Sequence, residues 1–406
     1  MTVKPFEPEQ STSSSLPSGR LVFVDVMKVL VIVVVIAHHA GQAYGAGGEW
    51  AVNDPPGAAW FDPFFRVNAA FGMALMFLLA GYFVPRSYDR KGGRLFLSER
   101  WKRIGVPMVL FILFVHIPVA YLTEEADLSF GQFIRSMYDT GLRSPYFHLW
   151  FLGHLLVYSA GYVLLRRFAE RRSSHRERVW PLPTHVTVAW FVIALTAVTW
   201  VVRGWFPMEH WYPLVFVVAS EPAHLPQYVS LFAIGAMAYR GEWLRRVSNR
   251  MGLAWLAIGL VASAGVYALA LLAPERAAEL LAGGGFNTRS LLYSAWESLI
   301  CVAMCLGLMV FGRIVFQRAN RLIDAMSATA YLAYMIHLVI VVLLQLALEG
   351  TELPTNLKFL AVAALGVALS FSFAHALGRV PGLGRALGTT SPVRPPDVED
   401  KQEVSA

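Results

Sequence analysis

The amino-acid sequence predicts an all-α, polytopic integral membrane protein with about ten transmembrane helices, and three observations predict it. The first is composition: 56% of the 406 residues are hydrophobic, 15% are charged and the mean hydropathy is +0.51, whereas soluble domains carry about 25% charged residues. The second is spacing, because the apolar residues gather in runs of the ~17–25 residues that cross a ~30 Å hydrocarbon core as a helix. The third is the loops, which alternate between basic and acidic as expected when cytoplasmic loops retain Lys and Arg.

In order along the chain, the runs fall at 21–43, 62–84, 104–122, 146–166, 184–204, 218–239, 252–273, 291–312, 324–347 and 356–378. The first is RLVFVDVMKVLVIVVVIAHHAGQAY, Arg20 to Tyr44, near-continuous apolar sequence that nevertheless holds Asp25, Lys28, His38 and His39. The second and third are joined by a loop with Arg86, Arg90, Lys91, Arg94, Arg100, Lys102 and Arg103. Arg166 to Arg178, then Arg240, Arg245, Arg246 and Arg250, then Arg313, Arg318 and Arg321, mark further basic loops. The opposite loops carry Glu49 and Asp54, or Glu124, Glu125 and Asp127, or Glu209, or Glu349 and Glu352. Ten spans with this alternation put both termini in the cytosol and make the chain a multi-pass protein of the cell (inner/plasma) membrane. The polar segments 1–19 and 381–406 are expected to be disordered cytosolic tails around a 20–380 membrane domain.

The sixth run is irregular. Pro213, Pro222 and Pro226 remove backbone donors, so the helix is expected to be broken on its outer side, and a broken helix at membrane depth implies a covered cavity lining or a surface loop. Trp50, Trp60, Trp200, Trp205, Trp211 and Tyr212 cluster at the outer ends, as an interfacial aromatic belt or, for one or two of them, a platform for sugar rings.

The net charge of +7 and isoelectric point near 9.4 reflect topology and not a nucleic-acid surface, since the basic residues sit in short separate loops. Cys301 and Cys305, the two cysteines, lie four apart inside an apolar run. They form no disulfide framework and no metal set. No P-loop or dinucleotide fingerprint is present.

Ionisable residues in a span cost at least ~2.5 kcal/mol each on insertion scales, which makes them candidates for function. On the first helix, Lys28 and His39 lie on one face, ~16 Å apart along the axis, with Asp25 within about 40° of them and His38 rotated by ~100°. The stripe runs from a cytosolic ion pair to an outer histidine. His39 is therefore the candidate general base, and a carboxylate at similar depth would fix its tautomer; Glu297 is the first candidate, with Glu221, His148, Trp150, His116 and His224 at comparable depth. The Arg86–Arg103 loop exceeds what topology needs and suits a phosphate-bearing ligand on the cytosolic side.

These segments resemble the membrane acyltransferase family 3, near its glucan-modifying, sugar-acylating bacterial branch. DVMKVLVIVVVIAHHAGQAYG is similar to the family's opening helix, in which an arginine precedes a histidine with ten residues between; here that spacing falls on Lys28 and His39. FLLAGYFVPRS leads into RKGGRLFLSERWKRIGVP, similar to the glycine-terminated helix and R-x-x-R loop, here Arg100 and Arg103. HLWFLGHLL from His148, WESLICVAMCLGL from Trp296 and AYLAYMIHLVI around Tyr334 and His337 complete the likeness. The resemblance implies transfer of an acyl group from cytosolic acyl-CoA to a hydroxyl of a carbohydrate or glycosylated acceptor, with the first-helix histidine essential. On this reading the CoA phosphates rest on Arg86, Arg100 and Arg103, the pantetheine arm passes Lys28, and Asp25, His148, Trp150, Glu221, Tyr334 and His337 face the substrates. Acyl-CoA is a co-substrate, and no metal or permanently bound cofactor is called for. Lys28 departs from the family's usual arginine, keeping the charge and losing the bidentate fork. Two other classes fit the same features: a proton-coupled transporter or exporter of a small molecule or glycan, built on broken helices and intramembrane His and Glu, and an inactive membrane scaffold.

Overall fold

The computed structural model describes residues 20–45, 50–122, 128–139, 147–172, 179–215, 218–281, 283–318 and 320–380. Both tails, and the acidic loop residues Glu49, Glu124, Glu125 and Asp127, lie outside the described residues. The elements in chain order are α1 (Val22–Gln42), α2 (Phe61–Arg100), α3 (Val106–Phe111), α4 (Ile117–Leu122), α5 (Phe130–Asp139), α6 (Trp150–Arg172), α7 (His185–Trp205), β1 (Tyr212–Leu214), β2 (Val218–Ser220), α8 (Leu225–Arg240), α9 (Trp243–Arg246), α10 (Asn249–Leu272), α11 (Pro274–Leu281), α12 (Thr288–Val315), α13 (Arg321–Leu348) and α14 (Thr355–Arg379).

The fold is all-α and polytopic. Among the described residues, eight helical stretches are long and apolar enough to cross a membrane. The ten expected spans map onto them with two differences. The second and third both lie in the stretch Phe61–Tyr121, where α2 is interrupted at Gly92, whose φ of 71° and ψ of 160° no helix contains. A left-handed φ favours glycine there, and the chain turns within a nominally single helix. The sixth expected span begins late: α8 has 16 residues, ~24 Å of helix, too short for the hydrocarbon core. Its N-terminal portion is a hairpin of β1 against β2, with Pro213 opposite Ala219, followed by a 3₁₀ turn at Pro222–His224. The prolines act as expected, and replace half a helix instead of kinking a whole one.

Prolines also explain two π-helical turns, Trp101–Gly105 and Ile112–His116. Pro107 and Pro118 cannot donate to the carbonyls four residues earlier, and widening the preceding turn absorbs the loss. The second π turn carries His116 inward, where it is buried.

Helix α1 is central, touching α2, α12, α13 and α14. The tightest crossing is between α2 and α8. A Cβ on Gly81 would lie 2.1 Å from the Phe232 carbonyl oxygen, and one on Gly235 would lie 2.1 Å from that of Leu78. The two backbones meet at paired glycines, which is the structural content of the LLAGY segment. At the opposite end of α1 from Arg20, the chain is pinned to α14 by a buried Lys358–Asp54 ion pair of 2.6 Å. Burial and the nearby Asp54 carboxylate push the Tyr44 phenol up to about 12, so this corner holds one salt bridge and a neutral tyrosine.

Candidate active site

His39 lies in the last turn of α1 and His337 in the middle of α13, and their rings meet: His337 Nε2 and His39 Nδ1 are 3.1 Å apart. The other nitrogen of His337, Nδ1, lies 2.6 Å from the Tyr334 carbonyl oxygen. A carbonyl only accepts, so Nδ1 of His337 carries a proton, and in the neutral ring its Nε2 is an acceptor. His39 must then donate from Nδ1, which leaves a lone pair on His39 Nε2. Trp50 fixes the same ring from its face, stacked at 5.6 Å and 20°. Trp50 Nε1 donates to Gln345 Oε1 at 2.8 Å, and Gln345 Nε2 donates to the His39 and Ala40 carbonyls at 3.0 and 3.1 Å.

His148 packs against His337 with ring centroids 4.6 Å apart, and its Nε2 lies 2.9 Å from the Tyr334 carbonyl oxygen. The Tyr334 hydroxyl returns a hydrogen bond to the His148 carbonyl. His116, from the π turn, lies 5.4 Å from His148, centroid to centroid. His38 lies beside this group, its ring 5.6 Å from that of His39, but its partners differ: its Nε2 is 3.1 Å from Gln42 Nε2 and its ring 5.0 Å from that of Phe65. The helical geometry thus separates the two histidines onto different neighbours.

A chamber of about 190 Å³ adjoins this group on its His39, His148 and Tyr334 side, and is lined also by His38, Asn68, Gly72, Trp150, Glu221, His224 and Tyr228. It lies between two larger cavities. One, about 850 Å³, is lined by Arg20, Asp25, Lys28, Phe83 and Asp324 and reaches Tyr334. The other, about 750 Å³, is lined by Trp50, Asp139, Glu209, His210, Trp211 and Tyr212 and reaches His39, His148 and Trp150. Trp50 and Trp211 both line this second cavity.

Other expected site residues fall elsewhere. Glu297 does not touch His39. It is completely buried on α12 in an ion pair with Arg203, accepts from Gln227 Nε2 at 2.8 Å and lies 3.2 Å from His224 Nδ1. Arg203 was not among the expected residues, although a basic residue at the acidic end of a span was a visible anomaly. Its Nη1 donates to Ser294 Oγ at 3.3 Å and its Nε to the Ala223 carbonyl at 3.3 Å. Glu221 accepts from the Glu209 amide at 2.6 Å and sits 3.6 Å from His224 Nε2, while Trp150 stacks on Tyr228. Lys28 pairs with Asp25 at 3.1 Å and lies 4.9 Å over the Phe83 ring; Arg20 bridges Asp25 and Asp324 at 2.7 and 2.8 Å. Arg86 and Arg103 are exposed, and Arg100 lies over the Phe96 ring; none of the three lines the Arg20-end cavity.

A family model described as an acyltransferase domain, that of acyltransferase family 3, matches residues 21–375. The glucans biosynthesis protein C of Escherichia coli (strain SMS-3-5 / SECEC) is 27% identical over 146 residues, 35% of this chain and 38% of that protein. Its counterparts in Salmonella heidelberg (strain SL476) and Salmonella typhi are 24% identical over 180 residues, 43% of this chain and 46% of theirs. The matched stretch thus spans less than half the length of these relatives. No solved structure matches. The family model covers nearly the whole membrane domain: the chain belongs to acyltransferase family 3 and is a multi-pass membrane protein.

Proposed function

We propose that the protein transfers an acyl group from acyl-CoA, entering from the cytosolic side at the Arg20 end, to a hydroxyl of a carbohydrate or glycosylated acceptor at the Trp50 end, with His39 as general base. The observation that carries the reading is the His39–His337–Tyr334 relay, which leaves the basic nitrogen of His39 in a chamber between two cavities. An acceptor hydroxyl oxygen attacks the thioester carbonyl carbon while His39 Nε2 takes its proton. The tetrahedral adduct then collapses with cleavage of the C–S bond, and His39 returns the proton to the departing thiolate. His337 steadies the transient imidazolium by accepting from Nδ1.

The donor side needs phosphate-binding charge, and the cavity mouth does not supply it. Arg20 and Lys28 are matched there by Asp25 and Asp324, so that cluster is neutral. The excess cations are on the C-terminal part of α2 and the π turn after it, which keeps Arg86, Arg100 and Arg103 as the proposed phosphate contacts. The Arg20-end cavity, past Lys28 to Tyr334, is wide enough for a pantetheine arm. On the acceptor side, Trp50 and Trp211 offer faces for sugar rings, and Glu209 and Asp139 offer acceptors for hydroxyls. The glucan biosynthesis named for the relatives fits such an acceptor.

The test is acyl transfer by purified protein in nanodiscs, with acetyl-, propionyl- and succinyl-CoA as donors and β-glucan oligosaccharides as acceptors. His39→Ala should fold and insert yet lose transfer; transfer at the wild-type rate would overturn the assignment. Arg100→Ala with Arg103→Ala should raise KM for acyl-CoA at least tenfold, and an unchanged KM would move the phosphate site elsewhere.

A further inference from the structure

In an acyl transfer the carbonyl oxygen becomes an oxyanion, and in an apolar site that charge is costly without a donor. Two donors beside His39 are committed: His337 Nδ1 to the Tyr334 carbonyl, and the Tyr334 hydroxyl to the His148 carbonyl. Arg203 is held by Glu297. Asn68 is not committed. Its Nδ2 is buried without a hydrogen-bond partner among the described residues, and it lines the same chamber as His39.

A second observation places open space beside that amide. Gly72 follows Asn68 by one helical turn and lines the chamber on the same face of α2, and a Cβ built on Gly72 would meet nothing within 4 Å. A gap one methyl wide thus lies next to an unused donor. The facing wall is α1, whose Val34, Val35 and His39 line the chamber opposite. The chamber holds about 190 Å³, and an acyl group seated in it faces His39 and Asn68 together.

We infer that Asn68 is a catalytic residue: its side-chain amide donates to the carbonyl oxygen of the acyl group, seated over Gly72, as the acceptor oxygen adds to the carbonyl carbon. The π electrons of the carbonyl move onto that oxygen, and the amide N–H holds the charge until the C–S bond breaks and the carbonyl re-forms. Asn68 neither gains nor loses a proton. A carbonyl oxygen in the gap selects the amide orientation with Nδ2 toward it. The inference rests on the His39 reading above.

Asn68→Ala should lower kcat about 100- to 1,000-fold, the range for loss of one oxyanion donor. KM for acyl-CoA, and the Kd of a thioether analogue that cannot transfer its acyl group, should stay within about twofold, because the donor acts on charge that exists only in the transition state. Asn68→Asp, of the same shape, should lose at least as much, since it sets an anion against the oxyanion. It decides the question should the alanine variant aggregate. Gly72→Ala meets no steric obstacle in the fold, and should raise KM and favour the smallest acyl group. With His39→Ala inactive, a kcat within threefold of wild type in Asn68→Asp or a well-folded Asn68→Ala overturns the role of Asn68 and leaves His39 standing. Activity retained in His39→Ala would instead overturn the parent reading.

Discussion

His337 is the residue whose replacement tests the relay most directly. In His337→Ala the His39 Nδ1–H loses its acceptor, and nothing then selects the tautomer with a free Nε2. The lost contact is a hydrogen bond that becomes charge-assisted once His39 has taken a proton, worth about 1.5–3 kcal/mol. At 1.36 kcal/mol per decade this is about a 10- to 150-fold fall in kcat. Because His337 does not line the Arg20-end cavity proposed as the acyl-CoA path, KM for the donor should change little. His337→Gln gives the control. A glutamine can present an oxygen to His39 Nδ1 from the same helix position, and should recover at least part of the loss. The assay is steady-state transfer in nanodiscs, with each variant first checked for a monodisperse profile and an unchanged melting temperature. If His337→Ala kept kcat within twofold of wild type, His337 would not be the group that orients the base.

Glu297→Gln should act on stability before it acts on chemistry. It leaves Arg203 fully buried without its counter-charge, which costs about 3–5 kcal/mol and should appear as a large drop in melting temperature in detergent. Lys358→Ala strands Asp54 in the same way at the Trp50 end, with a loss of similar size on the same measurement. Gly235→Leu forces a side chain into the Leu78 carbonyl and should abolish folded protein, read as loss of the monodisperse peak. Trp50→Ala removes the ring stacked on His39 and one face of the Trp50-end cavity. It should raise KM for the acceptor more than KM for acyl-CoA, and the reverse order would argue against an acceptor site there.

Most of the fold was legible because hydrophobic run length and helix caps are local properties. The expected span at 184–204 is α7, which begins after a Thr184 cap whose side chain accepts from the Thr187 amide. The spans at 291–312 and 324–347 lie inside α12 and α13, capped by Asn287 and Asn320. What escaped depends on backbone detail within an apolar run. The Gly92 break, the π turns before Pro107 and Pro118, and the hairpin in place of the N-terminal part of the sixth span all keep hydropathy high while leaving the straight helix. The site was legible in depth and not in azimuth. Helical periodicity placed His39 on the Lys28 stripe and set Glu297, His148 and Glu221 at comparable depths. It could not say which helix face turns toward α1, because His39 and His337 are 298 positions apart. Proximity in depth suggested Glu297, but the packing of α13 against α1 supplied His337.

The separation of these two groups has a chemical consequence. A carboxylate against His39 would stabilise the imidazolium strongly and make it a better base, but would also hold the proton when the thiolate needs it. Here the partner is a neutral imidazole backed by a backbone carbonyl, which orients the ring without a full counter-charge. A thiolate leaving group is a modest base, so a weakly stabilised imidazolium returns its proton readily. The carboxylate charge is instead neutralised by Arg203 in a self-contained network of Glu297, Gln227 and His224, which reaches the chamber only through His224 and its neighbour Glu221. The arrangement suits a base that must gain and lose one proton in every turnover inside a membrane, where a permanent ion pair beside His39 would favour only the first half of that cycle.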